Sequence, residues 1–582
     1  MRNNATRSTD DGSIEKRVEE AFAAPSFREK QRAATVEVAK GIEDPEVDVV
    51  LLSAPTGAGK SLILDGAARA TTGWSFITTP LNSLVDQMED DEFISPNVIT
   101  LKGRNNYDCI HPKDEGEDVD DAICQRRSDF ECEVKGDCPY YGRKRAAQEH
   151  PEVVTNLPYI MAEGMIPDVV KETFGRRHKL FVDECQGVED FGLTFIQFTI
   201  SSRTMPKDVW RGIDLPPKRR MGDMKWLVDW LESEVVEEVD SLLSTYETMP
   251  MLSKDQSDEF EDLKQFRMRL SNFLNDVERN EWVAEKDVNV RKNRPNEEKV
   301  VFNPVFIGRF LDDLLWERGK TVVLSSATIP GGDWLDEIGL GGCNSKTVSV
   351  GSTFPVENRP VLCNLDVGKM VSKRSDEEDN REVNAWPMAK RIMEIAKHHD
   401  GQRGMVHCRS YGIMETLERQ LLNHETAELN GETVSPREWA RENVTTQDRG
   451  NREESLEEWV EDGPQVFLSV AMDEGVDLDG DKCEWQCLAK TLYPFMTKRM
   501  KRRKEIAYEN GRKQDFWNYY NRKAVIQLQQ AYGRAVRSPT DEAPFYILDS
   551  SAKTLIQRNA EMFQTWFLEA VQGIRVSAER GI

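Results

Sequence analysis

Asp48-Val49-Val50-Leu51-Leu52 runs directly into Ser53-Ala54-Pro55-Thr56-Gly57-Ala58-Gly59-Lys60-Ser61 and then into Leu62-Ile63-Leu64-Asp65-Gly66-Ala67-Ala68. The first segment is a short unbroken apolar run, the pattern of a strand buried on both faces, and the third reads as a helix. Strand, glycine-bearing turn and helix N-terminus together form a phosphate cradle, in which backbone N–H groups and the helix dipole face the oxygens. Within it Lys60 is expected on the β/γ oxygens and Ser61 on a magnesium ion, with Thr56, Gly57 and Gly59 shaping the loop. Ala54 stands where the usual pattern has its first glycine, so the flanking strand and helix carry the reading.

A nucleotide bound there needs an acidic partner at the end of another strand. His178-Lys179-Leu180-Phe181-Val182 is that strand, closed by Asp183-Glu184. Asp183 is placed to hold magnesium through water, and Glu184 to orient and deprotonate the attacking water. Further on, Thr321-Val322-Val323-Leu324 leads into Ser325-Ser326-Ala327-Thr328, and Gln530-Ala531-Tyr532-Gly533-Arg534-Ala535-Val536-Arg537 lies near the C-terminus. Arg534 and Arg537, three apart on an expected helix start, share a face and suit arginine fingers supplied from a second lobe.

Between the phosphate loop and the acidic pair stand Cys109, Cys124, Cys132 and Cys138, separated by fourteen, seven and five residues. The paired Cys-x-x-Cys knuckles usual in structural zinc sites are missing. Irregular spacing with one ligand per loop, and Pro139 after the last cysteine, suits a bulky iron–sulfur cluster. Zinc is the alternative. A core of unrelated thiols is disfavoured, because Asp114, Glu115, Glu117, Arg126, Arg127 and Lys135 crowd the same stretch.

The chain has 582 residues, 77 basic and 103 acidic, for a formal charge of −26. That length predicts several domains. The charge argues against a general polyanion-binding surface but not against a locally basic groove; a salt-rich cytoplasm would also explain it. No apolar run is long enough to span a membrane. Met1 to Gly12 is polar, so no secretory signal is expected, and the short stretch ahead of Asp48 leaves no room for a nuclease domain. Ten cysteines, four of them clustered, suggest a reducing compartment.

In order and content these blocks resemble the motifs of superfamily-two helicases, specifically the XPD/DinG group of iron–sulfur DNA helicases. Arg28-Glu29-Lys30-Gln31 resembles the adenine-reading element, with Gln31 on the base. Thr78 to Gln87 resembles motif Ia, which contacts the DNA backbone, and Lys102 to Cys109 the opening of the cluster domain. Ser325 to Thr328 matches coupling motif III, and the block from Gln530 to Arg537 motif VI. Ala471-Met472-Asp473-Glu474-Gly475-Val476-Asp477 resembles motif V, which puts Glu474, Gly475 and Asp477 among the nucleotide-site residues. The matches run from Arg28 to Arg537. Motif II departs: Asp183-Glu184-Cys185-Gln186 stands where the family usually ends in Ala and His, so the coupling contact of the histidine falls to Gln186. Cys185 is expected to be a packing residue.

The resemblance implies ATP, Mg2+ and a 4Fe–4S cluster on the four cysteines, 5′-to-3′ travel on single-stranded DNA, and forked DNA as substrate. It also implies a monomeric motor with a loading partner of unknown identity and no membrane association. Its location would be cytoplasmic and nucleoid-associated in a prokaryote or virus, nuclear in a eukaryote. The implied fold is α/β, with two RecA-like doubly wound motor lobes. Lobe 1 takes residues 1–101, 146–191 and 304–345, interrupted by a cluster domain at 102–145 and a helical arch at 192–303; lobe 2 takes 346–582. Apolar stripes through Met224, Leu227, Leu231, Val235 and Val239, and through Phe260, Leu263, Phe266, Leu270 and Phe273, give the arch its helices. The basic run Lys498 to Lys504, followed by Tyr508, Phe516, Trp517, Tyr519 and Tyr520, is either a single-strand groove or a solvated helix beside second-lobe core. Two rivals remain: an RNA or protein–DNA remodelling translocase that separates no duplex, and a non-motor scaffold whose ATP site is a structural switch.

Overall fold

The computed structural model describes residues 13–114, 116–126, 130–165, 174–289, 297–365, 367–370, 384–429, 431–470, 478 and 480–575. The motif V residues Glu474, Gly475 and Asp477 lie outside the described residues.

Successive side chains leave a strand in opposite directions, so an unbroken apolar strand demands cover on both faces. Val49–Ser53 finds it in a seven-stranded parallel sheet ordered Ser345–Ser349, Val49–Ser53, Gly319–Ser326, Arg177–Asp183, Ser75–Thr79, Glu152–Asn156, Ile99–Leu101. Val49 and Leu51 enter one core with Phe76, Leu180 and Leu324, while Val50 and Leu52 enter another with Ile77, Phe181 and Val323. Helices Gln31–Glu43 and Lys60–Ala70 cover the second core; Pro139–Glu149 and Leu157–Gly164 cover the first.

The second lobe repeats the plan. Its seven parallel strands run Val444–Thr446, Val466–Ser469, Gly404–His407, Trp485–Leu488, Phe545–Ile547, Val361–Leu362, Val571–Gln572. Val406, Leu468 and Cys487 face helix Ala385–His398, while Leu488, Phe545 and Ile547 face helix Lys513–Tyr532. Both lobes are therefore doubly wound, as the sequence predicts.

Two segments leave the first sheet. The cysteine segment lies between strand Ile99–Leu101 and helix Pro139–Glu149. The other contains the expected helices, whose stripes through Leu227, Leu231, Val235, Leu263, Phe266 and Leu270 share one core. It is not helical alone. Phe198–Ile200, Glu297–Pro304 and Trp282–Asn289 form an antiparallel sheet beside the helices. Trp282, Ala284, Val300 and Phe302 enter the shared core from it; charged Glu285 and Lys299 alternate with them, which hid a half-buried strand in a polar run. Among the described residues no helix is long and apolar enough to cross a membrane.

Candidate active site between the lobes

The loop Ser53–Ser61 is bent by Gly57 and Gly59, both at positive φ (79° and 74°). A Cβ on Gly57 would stand 2.2 Å from Phe354 Cζ, and one on Gly59 2.3 Å from Gln31 Nε2, so both positions need glycine for space as well as for backbone freedom. Ala54 is not among the positive-φ residues, and the missing first glycine therefore costs the turn nothing. Arg28 donates from Nη1 to Gly57 O at 2.8 Å, and Gln31 from Nε2 to Gly59 O at 3.2 Å. Gln31 Oε1 accepts from the Arg28 backbone N–H at 2.9 Å, and the side chain is fully buried. Both ends of its amide are thus engaged on backbone. As it stands, Gln31 latches the loop rather than presenting an amide to a base.

Asp183 and Glu184 close the strand Arg177–Asp183 as expected, with Asp183 opposite Ser325 in the parallel register. Glu184 sits at φ 49°, a left-handed conformation that non-glycine residues rarely hold away from functional turns. Lys60 Nζ is 2.9 Å from Glu184 Oε1, and Gln186 donates from Nε2 to Glu184 Oε2 at 3.0 Å. Burial raises the Glu184 carboxyl, but Lys60, Gln186 and Arg534 together bring it below the ordinary value. At Asp183, burial opposed by Lys60 and reinforced by Glu184 pushes the carboxyl up to about 6. Asp183 Oδ1 and Gln186 Oε1 are buried without a well-formed hydrogen bond, and the Ser325 hydroxyl beside Asp183 only partly offsets the burial of its carboxyl. Orphaned buried acceptors are costly unless a ligand completes them. A hard cation held by Asp183 and Ser61 would do so at the carboxylate, so the residues present fit magnesium. Cys185 is fully buried in the first-lobe core, as a packing residue should be.

The second lobe closes the site. Helix Lys513–Tyr532 ends at Gly533, and Arg534 and Arg537 follow in the turn beyond it, not on a helix start as expected. Glycine is a weak helix residue and Pro539 follows closely, so the helix stops before the arginines. From that turn Arg534 bears on Glu184 and Arg537 on Lys60. A Cβ on Gly533 would approach Thr56 Oγ1 to 3.9 Å, and Gln530 is half-buried one turn back on the helix. Beside Thr56 a small pocket is lined by Pro55 of the first lobe and by Phe354, Tyr532, Gly533 and Val536.

Sequence motifs missed two further contacts between the lobes. Gln564 accepts from Ser53 Oγ at 2.6 Å and donates to Ile329 O at 2.8 Å, while Trp566 Nε1 donates to Ala327 O at 3.0 Å; these tie motif III to the second lobe. Glu189, on the helix just after motif II, is buried and meets Arg499 at 2.8 Å, Lys523 at 2.8 Å and the Tyr519 hydroxyl at 2.9 Å. Arg503 joins Glu337 at 3.1 Å, and Arg522 joins it at 2.9 Å. The basic run is therefore largely absorbed: Lys498 caps the carbonyls of Ala284 and Met221, and Arg502 pairs with Glu281. Tyr519 and Phe516 are buried. The helix Lys498–Glu509 is a joint between lobe 2, lobe 1 and the inserted segment rather than an open groove.

Cys109, Cys124, Cys132 and Cys138 line one small pocket together with Ile110, Val119, Val134, Lys135 and Tyr141. All four are free thiols. Burial raises the Cys109 and Cys132 thiols, and charge on the other cysteines adds to it at both, so the four lie within electrostatic reach of one another. Among the described residues no group of three or more His, Cys, Asp and Glu side chains could hold a metal ion as it stands.

Residues 392–570 match the family of helicase C-terminal domains. An XPD helicase structure superposes with a TM-score of 0.56 at 16% identity, over 93% of this chain and 98% of that one. The fold is XPD-like. An apo XPD structure gives 0.53 at 14% identity over 92% and 99%, and the S. tokodaii Xpd4 structure 0.51 at 14% over 94% and 100%. No curated protein sequence matches the chain.

Proposed function

We propose that this XPD-like chain is an ATP- and magnesium-dependent DNA helicase that travels 5′-to-3′ on single-stranded DNA and opens duplexes at a fork. The observation that carries the motor is the cleft itself: Lys60 on Glu184 at 2.9 Å, with Arg534 and Arg537 of the other lobe bearing on that same pair. ATP would displace Glu184 from Lys60, because the β/γ oxygens compete for the same ammonium. The freed carboxylate, relieved of the Lys60 charge that held its pKa down and still buried, becomes the stronger base that positions and deprotonates water. Arg534 and Arg537 meet the charge that develops on the transferred phosphoryl group, and Gln186 holds Glu184 during the exchange. Magnesium, when bound at Asp183 and Ser61, neutralises phosphate charge.

Four soft thiols around one pocket, offered from well-separated points of the segment, support an iron–sulfur cluster over a single zinc ion, which needs its ligands gathered on one point. A 4Fe–4S cluster held by Cys109, Cys124, Cys132 and Cys138 would cross-link these loops beside the first lobe.

The test is ATP turnover with single-stranded DNA against RNA, beside unwinding of forks with a free 5′ or 3′ tail and iron analysis of anaerobic protein. DNA-stimulated turnover, unwinding from the 5′ tail and about four iron per chain are expected. Equal stimulation by RNA without unwinding would leave a translocase or remodeller, and stoichiometric zinc without iron would reject the cluster. Cys124→Ser should lose iron while Cys185→Ser keeps it.

A further inference from the structure

Phe495 is 63% exposed, although the loop that carries it is hydrogen-bonded on both sides of it. Thr491 ties the start of that loop to buried Asp549 through N–H and hydroxyl, each at 2.8 Å. Tyr520 donates to Pro494 O at 3.1 Å and stacks on Tyr493 at 5.4 Å and 11°. Thr497 then caps the helix Lys498–Glu509. An apolar ring held rigidly in water has lost its conformational freedom without gaining burial. That combination suits a ligand that stacks.

One face of the ring is already taken. The Arg409 guanidinium lies 3.7 Å from the Phe495 centroid and is fixed by Nε donating to Tyr493 O at 2.8 Å. Arg409 sits at φ 70°, a strained conformation for a side-chain-bearing residue, and has no carboxylate partner among the described residues. Strands Gly404–His407 and Trp485–Leu488 are parallel neighbours, so the loops bearing Arg409 and Phe495 leave the same edge of the sheet. From strand Val444–Thr446, two places along, the chain brings Arg449 and Arg452 over the Tyr411 ring, at 4.8 and 5.8 Å. In a chain of charge −26 this carboxyl-end rim interleaves arginine with aromatic rings, Arg449 pairing there with Glu415 and Arg452 donating to the Tyr411 hydroxyl.

We propose that Phe495, backed by Arg409, is a base-stacking platform for a single strand of nucleic acid lying along the carboxyl-end rim of the second sheet. This rests on the nucleic-acid motor reading and assigns base contact to a loop outside the basic run. Stacking is sequence-tolerant because every base has a π-face.

The test measures binding of a labelled oligothymidylate by anisotropy across a salt series. Phe495→Ala and Phe495→Leu should each weaken binding about tenfold, and Phe495→Trp should restore it. The slope of log K against log salt should stay at the wild-type value in Phe495→Ala, since no ion contact is lost. An oligonucleotide carrying abasic sites should weaken wild type and add nothing further to Phe495→Ala. Wild-type affinity in Phe495→Ala, or full activity of Phe495→Leu beside a weak Phe495→Ala, overturns the platform alone. A wild-type protein that binds no single strand overturns the motor reading instead.

Discussion

Two sets of second-lobe cations meet the first lobe, and they meet it in opposite states. Arg534 and Arg537 bear on Glu184 and Lys60 in a cleft where Asp183 Oδ1 and Gln186 Oε1 are buried without well-formed hydrogen bonds. Arg499, Arg503, Arg522 and Lys523 surround Glu189 and Glu337, where Glu189 alone takes two cations and a hydroxyl within 2.9 Å. The cleft is left for a ligand to complete; the joint is complete in itself. Both hang on the same chain segments. Glu189 follows motif II on the next helix, and Arg522 and Lys523 lie on the helix that ends at Gly533 and leads into Arg534. A change of charge in the cleft therefore has a short, packed route to a permanent interlobe contact.

That contrast breaks most sharply in turnover. Arg534→Ala or Arg537→Ala should lower kcat about a thousandfold or more, the scale of a lost arginine finger, with unfolding midpoints close to wild type. Glu184→Gln should abolish turnover yet bind ATP, since Asp183 and Lys60 remain, as equilibrium binding of a labelled ATP would show. Near-normal turnover in either arginine variant would remove those residues from the chemistry.

In the joint the expected loss is stability. Glu189→Gln removes the buried countercharge between half-buried Arg499 and Lys523 and leaves Lys523, among the described residues, only the exposed Asp190 at 3.3 Å, and breaking a buried pair costs about 3–5 kcal/mol. Arg502→Gln, in the more exposed pairs with Glu281, Glu505 and Glu509, should cost about 1 kcal/mol or less. Urea unfolding of the two variants side by side decides it. Equal midpoints would mean that Glu189 is no more than another surface ion pair.

Much of the cleft was legible because its signals are local. Val49–Ser53, the glycine turn and the helix from Lys60 are adjacent in the chain, and each strand bearing a described motif reads as an apolar run. The arginines of motif VI were placed by residue type alone, and their helix ended sooner than expected. Gln31 shows the limit of a motif: its type fits a base reader, but the partner that occupies it is a backbone carbonyl no pattern reveals. The basic run from Lys498 leaves two readings open for the same reason. Its carboxylates, Glu189, Glu281 and Glu337, lie far away in sequence, and charge density gives no sign of which charges will be neutralised on folding. The cysteines were legible as a set because four thiols in a polar stretch have few other uses.

A change of pH separates the two carboxylates of the joint. Burial raises Glu189, but Lys523, Arg499 and Arg503 hold it well below the ordinary carboxylate range, so its contribution is present at neutral pH and lost only in strong acid. Glu337 goes the other way. Burial, opposed by Arg503 and Arg522 and helped by the charges of Glu189 and Asp333, pushes it up to about 7. A carboxyl with a folded value above its unfolded one binds more protons in the folded state. Its stabilising contribution is therefore full below the ordinary carboxylate value and is lost as pH rises through about 7. Glu337→Gln mimics the protonated form at every pH. Between about pH 5 and pH 8 the stability of wild type should fall relative to this variant, by about 2 kcal/mol for a shift of this size, read from urea unfolding at each pH. A wild type that gains on the variant as pH rises would show Arg503 and Arg522 keeping Glu337 ionised, and the joint would then hold two permanent charges instead of one permanent and one titrating near neutrality.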